Sequence, residues 1–253
     1  MAVTKHRFVS PLAAGALALA AAACGSQMNV RIGDEDGVPL AQLDTSGAAP
    51  SRLVLAGPDT ITVAPGERLT IDVAGDAPAV AALRFTLKDG TLGMMRAQGS
   101  KAKGTARVTV TSPKLRELVL AGSGDIRAQT LGDDAEVTIA GSGTVGVARI
   151  AAQKLDVNVI GSGKFQAAGS AKALDLTVAG SGALAGRELR VDTAKISLVG
   201  SGSGEFASDG TVDASIAGSG DVVVHGRARC EISAMGSGSV QCRDDGGARA
   251  SPR

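Results

Sequence analysis

The chain has 253 residues, enough for one large domain or two small ones, with 26 basic against 25 acidic residues and a formal charge of +1. That balance excludes the basic field a nucleic-acid partner requires. Four Phe with no Tyr and no Trp exclude a large-aromatic core, so burial falls to Val, Ile, Leu and Ala.

Residues 1–23 read as an export signal. Lys5 and Arg7 form a positive start, and Phe8 to Ala23 is an uncharged apolar run of sixteen residues, short for a membrane span. Ala21-Ala22-Ala23-Cys24 resembles a bacterial lipoprotein box, with Ala21 where Leu is usual. On that reading Cys24 is acylated and anchors the protein to a membrane. On the other, an ordinary signal-peptidase site is followed by an incidental cysteine. Either way the chain is expected to be exported, and an outer-membrane lipoprotein of a bacterial envelope is the expectation carried forward. Removing residues 1–23 takes away two basic residues, leaving 24 basic against 25 acidic and a mature charge of −1. With Cys24 acylated, Cys230 and Cys242 remain as a pair in an oxidising compartment.

Residues 24–52 are mostly polar and lack sustained periodicity, as a tether would. From Leu53 short alternating runs begin: Ile61 and Val63; Leu69, Ile71 and Val73; Leu83, Phe85 and Leu87; Val108 and Val110. Turn signals such as Pro65-Gly66 and Asp89-Gly90 break them, so residues 53–112 are predicted to be irregular coils of strands at the start of a solenoid.

Residues 113–242 are regular. Gly-Ser-Gly occurs as Gly122-Ser123-Gly124, Gly141-Ser142-Gly143, Gly161-Ser162-Gly163, Gly180-Ser181-Gly182, Gly200-Ser201-Gly202, Gly218-Ser219-Gly220 and Gly236-Ser237-Gly238. The steps are 19, 20, 19, 20, 18 and 18 residues, a period that marks stacked supersecondary units. Two positions before each triplet stand Leu120, Ile139, Val159, Val178, Leu198, Ile216 and Ala234. Four before stand Leu118, Val137, Val157, Leu176, Ile196, Ala214 and Ile232; four after stand Ile126, Val145, Phe165, Leu184, Gly204, Val222 and Val240. Alternation on both sides of a turn means that one strand enters and a second leaves. The predicted fold is therefore all-β: a single-stranded parallel β-helix of about 19 residues per coil, right-handed by the general preference of parallel crossovers. Glycine at the corner supplies backbone angles that a Cβ disfavours, and the central serines are expected to form an outer hydroxyl ladder. Residues 243–253 form a polar tail.

Outward columns carry the functional information. Val119, Thr138, Asn158, Thr177, Ser197, Ser215 and Ser233 give a mostly hydroxylated face. Glu117, Glu136, Asp156, Asp175, Asp213 and Glu231 form an acidic stripe interrupted by Lys195. Stacked like charges invite a compensating cation such as calcium, or they keep a sheet face soluble and discourage lateral pairing. Ala121, Ala140, Ile160, Ala179, Val199, Ala217 and Met235 form an apolar column just before the turn, which points to possible self-association. Cys230 lies six before the last triplet and Cys242 six after it, both inward on the final coil, which predicts a disulfide closing that end. Two buried free thiols are the alternative.

Catalytic chemistry finds little support. His6 leaves with the signal, and His225 alone builds neither a metal site nor a Ser-His-Asp relay, so a surface or turn position is expected for it. Gly161-Ser162-Gly163-Lys164 lacks the spacing of a phosphate loop. No Trp or Tyr is present to stack a sugar ring. No enzyme and no cofactor are expected, a carbohydrate-active enzyme being the weaker alternative.

Leu83-Arg84-Phe85, Asp89-Gly90-Thr91-Leu92, Pro113 and the run Leu118-Val119-Leu120-Ala121-Gly122-Ser123-Gly124-Asp125-Ile126, followed by the serial triplets, complete the pattern. Across residues 53–242 it resembles the bacterial family called putative auto-transporter adhesin, head GIN domain. The resemblance implies a pectin-lyase-like β-helix with Gly-Ser-Gly at a tight turn between two sheets, a role in cell adhesion, and no recognised catalytic residues. The expected partners are a membrane, through the lipid anchor, and a protein or surface glycan. A periplasmic scaffold or oligomerising module is the rival.

Overall fold

The computed structural model describes residues 36–244 apart from Lys114. The signal segment 1–23, Cys24, residues 24–35 of the tether and residues 245–253 of the tail lie outside the described residues.

The chain opens with strands β1 (Arg52–Ala56) and β2 (Thr60–Ala64), then β3 (Thr70–Gly75), helix α1 (Ala77–Ala82) and β4 (Leu83–Lys88). Next come β5 (Thr91–Arg96), β6 (Ala106–Thr111), β7 (Glu117–Gly122), β8 (Asp125–Leu131) and β9 (Asp134–Gly141). Four strands then each occupy a whole coil: β10 (Thr144–Gly161), β11 (Lys164–Gly180), β12 (Ala183–Gly200) and β13 (Ser203–Gly218). β14 (Asp221–His225) follows, and the final coil is built from β15 (Arg229–Gly236) and β16 (Ser239–Arg243).

Every pairing from β7 onward is parallel and in the register that the triplets dictate. Leu118 pairs with Val137, Val137 with Val157, Val157 with Leu176, and so on to Ile232. The inward columns are nearly fully buried, Leu118, Val137, Val157, Leu176 and Ala214 at 0% exposure. The fold is thus the parallel β-solenoid that the period predicts. Its interior is a stack of aliphatic side chains, each layer covering the next.

A third side was not visible in the two-strand reading. In β10 the alternation lapses at Ala148-Arg149 and again at Gln153-Lys154, with Ile150 and Ala152 buried between them. The same two lapses recur in β12 around Leu189 and Val191. The coils of β10 and β12 therefore turn at the triplet and at two further corners. A short inward column, Leu131, Ile150, Gly169 and Leu189, lines the added side.

The start of the solenoid departs from chain order. β1 lies between β5 and β7, and β2 between β6 and β8, all parallel. The first coil in sequence is therefore the second in space, because β5 and β6 return to lie outside it. Beyond them β3 and β4 pair antiparallel, on β6 and β5 respectively. Between the two, α1 lays Ala79 and Ala82, 0% and 8% exposed, over the core. An antiparallel edge and a short helix block the open ladder at which a solenoid would otherwise extend. Part of the expected tether belongs to this cap: Val38 exchanges two backbone hydrogen bonds with Phe85 (2.9 and 2.8 Å), and Leu40 and Leu43 pack on the core.

The opposite end differs. Cys230 and Cys242 form a disulfide across the final coil, and Ile232, although at an inward position, is 50% exposed. The bridge closes a loop with a sequence separation of 12. Replacing both cysteines by serine is expected to release about 3 kcal/mol of local constraint. Hydrogen exchange should then accelerate in residues 229–243 while β10–β12 stay protected, since each coil contacts only its neighbours. Acceleration spread evenly over all coils would contradict this.

Candidate functional site

The turns themselves are built from backbone. The first glycine of each triplet has φ between +109° and +135°, a region essentially closed to residues with a Cβ. The next coil's serine N–H donates to that glycine's carbonyl: Ser162 N to Gly141 O at 2.9 Å, Ser181 N to Gly161 O at 2.8 Å, Ser201 N to Gly180 O at 2.9 Å. The serine side chains are exposed and the third glycine of the first six triplets is buried. The turn is a scaffold, and the serines lack the base that a nucleophile needs.

An eighth corner escaped the count of triplets. Gly57-Pro58-Asp59 occupies the same place in the ladder: Gly57 has φ +145°, its N–H donates to Ala121 O (3.0 Å), and its carbonyl accepts from Gly124 N (2.9 Å). Asp59 stands where the third glycine would be and is 1% exposed. Its carboxylate accepts from Arg96 Nε (3.0 Å), Arg96 Nη2 (2.7 Å) and the Ala106 N–H (2.8 Å). Arg96 also donates to Ala102 O (2.6 Å) and Gly104 O (2.7 Å), tying down the segment 97–105 that replaces a triplet in the outermost coil. The carboxylate beside it holds the Arg96 guanidinium above its ordinary pKa. This constellation is structural: every oxygen and nitrogen named is used in holding the cap.

On the face of the entering strands the acidic stripe is in strict register, Glu117, Glu136, Asp156, Asp175, Lys195, Asp213, Glu231. Side-chain cations accompany it. Arg52 caps the row, its Nε 2.6 Å from Glu117, and Lys154 Nζ lies 2.8 Å from Asp156. Among the described residues no three or more His, Cys, Asp or Glu are grouped to hold a metal ion. Partial burial, and then the neighbouring Glu117, push the Glu136 carboxyl above its usual pKa. A raised acid favours the neutral form in the fold, so its contribution is present below the usual carboxylate pKa and lost as pH rises through the raised value. Glu136→Gln is therefore expected to stabilise the protein slightly at pH 7, by no more than about 0.5 kcal/mol given solvent screening. The gain should vanish in acid. Thermal melts at both pH values would show it, and a variant that melts lower at pH 7 would contradict the reasoning.

The face of the exit strands is hollowed into a groove of about 690 Å³ crossing β8, β10, β11, β12 and β13, within the usual range of ligand clefts. The hollow follows from side-chain size: outward positions in successive coils carry Gly146, Ala148, Ala168 and Ala185, while Arg127, Gln166, Arg187 and Glu205 stand around them. Arg127, Gly146, Gln166, Ala185 and Glu205 are one register column, five after the triplet. The same ruler would have shown that column, and its small residues were the signal. Donors (Arg127, Arg187), acceptors (Asp125, Glu188, Glu205) and groups that do both (Gln166, Thr144) line the groove with an uncharged floor. At the β13 end His225 Nε2 lies 2.9 Å from Glu205 Oε1. His225 is 9% exposed, so the surface position expected for it is corrected: the final coil covers its ring. Of the groove's carboxylates, Asp125 and Glu205 lie four coils apart, about 19 Å at the strand spacing, and Glu188 lies on the coil next to Glu205.

The chain is a capped parallel β-solenoid with glycine turns and a polar side groove. The chain belongs to the family described as putative auto-transporter adhesin, head GIN domain, whose model matches residues 49–228. The final coil, residues 229–243, lies beyond that match. Solved structures share the fold. A putative adhesin from Bacteroides fragilis superposes with a TM-score of 0.68 at 22% identity, covering 76% of this chain and 92% of that one. A putative lipid binding protein from Parabacteroides distasonis gives 0.62 at 20% identity, with 77% and 93% covered. A putative adhesin from Parabacteroides merdae gives 0.55 at 20% identity, with 76% and 91% covered. No curated protein matches the chain.

Proposed function

We propose that the protein is a non-catalytic adhesion module of the bacterial envelope, exported by residues 1–23 and anchored at the outer membrane by acylated Cys24, that binds surface glycans in its side groove. The observation that carries this is the groove's mixture of hydrogen-bond donors and acceptors over a small-residue floor, which suits a neutral polyhydroxylated ligand. Without aromatic platforms each contact is weak, and many anchored copies on one surface supply the avidity. Among the described residues no helix is long and apolar enough to cross a membrane, so the lipid does the anchoring on this reading.

The test is a glycan array probed with the chain alongside adherence of expressing cells. Arg127→Glu with Arg187→Glu should abolish both, and Val199→Asp on the other face should leave both intact. Vesicles form a parallel arm, because one structural neighbour is described as a lipid binding protein. Binding to vesicles alone, or adherence indifferent to the groove variants, would overturn the proposal. The rival, a periplasmic scaffold, draws on the apolar column, where Val199 is 56% and Met235 76% exposed. Protection from protease added to intact cells would favour it.

A further inference from the structure

The two ends of the solenoid are finished differently. The N-terminal end is closed by β3, α1 and β4. At the C-terminal end β15 pairs only with β13, and β16 only with β14, among the described residues. The last coil therefore presents two open strand edges. Between them lies an exposed cross-section of core: Ile232 at 50% exposure, with Ala234 exposed and Val240 half-buried. Parallel ladders of this kind extend onto any strand that fits. Residues 245–253 contain no Val, Ile, Leu, Met or Phe with which to cover the edge.

We infer that the C-terminal face is an interface for a second copy of this chain, joined end to end about a two-fold axis. Among the described residues this end lacks the antiparallel strands and helix that finish the other, and a face that meets its own copy makes an isologous contact, which closes after two copies. The charge pattern selects a register. Set β15 antiparallel to β16 of the second copy, with Glu231 opposite Arg243. Ile232 then faces Cys242, Ser233 faces Gln241, Ala234 faces Val240 and Met235 faces Ser239. Inward positions meet inward positions, so the core runs on across the junction. The two-fold repeats every pair, bringing two Glu231–Arg243 contacts and covering both edges at once. Pairing β15 with its own copy about Ile232 would instead oppose Glu231 to Ser233 and leave Arg229 facing Met235. The contact uses residues 229–243 of each copy, fewer than the roughly 20–30 a side of a standard interface, which places it among the small, reversible ones.

Sedimentation equilibrium of the chain, exported with Cys24→Ser to avoid lipid-driven micelles, tests this. A monomer–dimer equilibrium is expected, with Ile232→Asp monomeric. Glu231→Arg should weaken the dimer by about ten-fold or more, and adding Arg243→Glu should restore it, a readout that a merely misfolded coil would not give. A concentration-independent monomer, or failure of the double charge swap to restore a lost dimer, would overturn the inference. A dimer lost in Val199→Asp but kept in Ile232→Asp would move the contact to the sheet face and also overturn it. Dimerisation that appears only after deletion of residues 245–253 would assign the edge to the tail instead. Glycan binding through the groove is independent of all these outcomes.

Discussion

Gly161→Ala is expected to destabilise the protein by about 3 kcal/mol, while Ser162→Ala beside it should change stability by less than about 0.5 kcal/mol. The contrast follows from the corner. Gly161 has φ +109°, and a Cβ there would sit 2.7 Å from the carbonyl oxygen of Gly141 on the coil below. That oxygen is already committed, accepting the Ser162 N–H at 2.9 Å. The new methyl must therefore break the ladder at its tightest point or carry the strain. The serine side chain projects into solvent, so its loss removes little. Gly163→Ala should fall between the two. Its backbone is ordinary, but a Cβ would reach the Gly143 carbonyl at 3.0 Å and press on the Ile139 methyl. Urea unfolding of the three variants decides the matter. Equal losses for Gly161→Ala and Ser162→Ala would show that the corner does not require glycine.

Asp59→Ala should cost about 3–5 kcal/mol, because it strands a partly buried guanidinium among carbonyls already bonded to it. Asp59 is 1% exposed and Arg96 is 14% exposed at its side chain. The expected sign of failure is local. Limited proteolysis should cut within residues 97–105, and the outer coils should melt ahead of β10–β13 in a second, lower transition. Pairing Asp59→Leu with Arg96→Met should recover part of the loss, since apolar replacement of a whole buried pair is often neutral or favourable. A single cooperative transition, unshifted in Asp59→Ala, would show that the pair does not hold the cap.

How far the sequence could be read depends on periodicity. From Leu118 to Ile216 the inward columns two and four before and four after each triplet follow from counting, because parallel stacking repeats one decision coil after coil. The Cys230–Cys242 bridge followed from the same count. The count failed wherever a coil kept the geometry but changed the letters. Gly57-Pro58-Asp59 forms the corner without spelling it, and its Asp turns the missing glycine into an anchor for Arg96, 37 residues away. The third side was missed for a related reason. Its inward column mixes Leu131, Ile150, Gly169 and Leu189, too short and too varied for period-two alternation to register. His225, for which a surface or turn position is expected, does end its strand but is 9% exposed, with β16 of the final coil paired beside it. The groove is legible in principle, since one register column supplies both small floor residues, Gly146 and Ala185, and polar walls, Arg127, Gln166 and Glu205, but a hollow signalled by absent side chains is easily overlooked.

The Gly-Ser-Gly spacing by itself determined the parallel stack, the register, the aliphatic interior and the outward columns. These are local rules repeated at a fixed step, so each coil carries its own instructions. The tertiary structure alone decided how the stack is finished. It placed β1 and β2 inside a coil formed later in the chain, turned β3 and β4 antiparallel to seal one end and, among the described residues, left β15 and β16 open at the other. Ends have one neighbour where interior coils have two, so their solutions depend on partners distant in sequence, and a repeat has no means of encoding them.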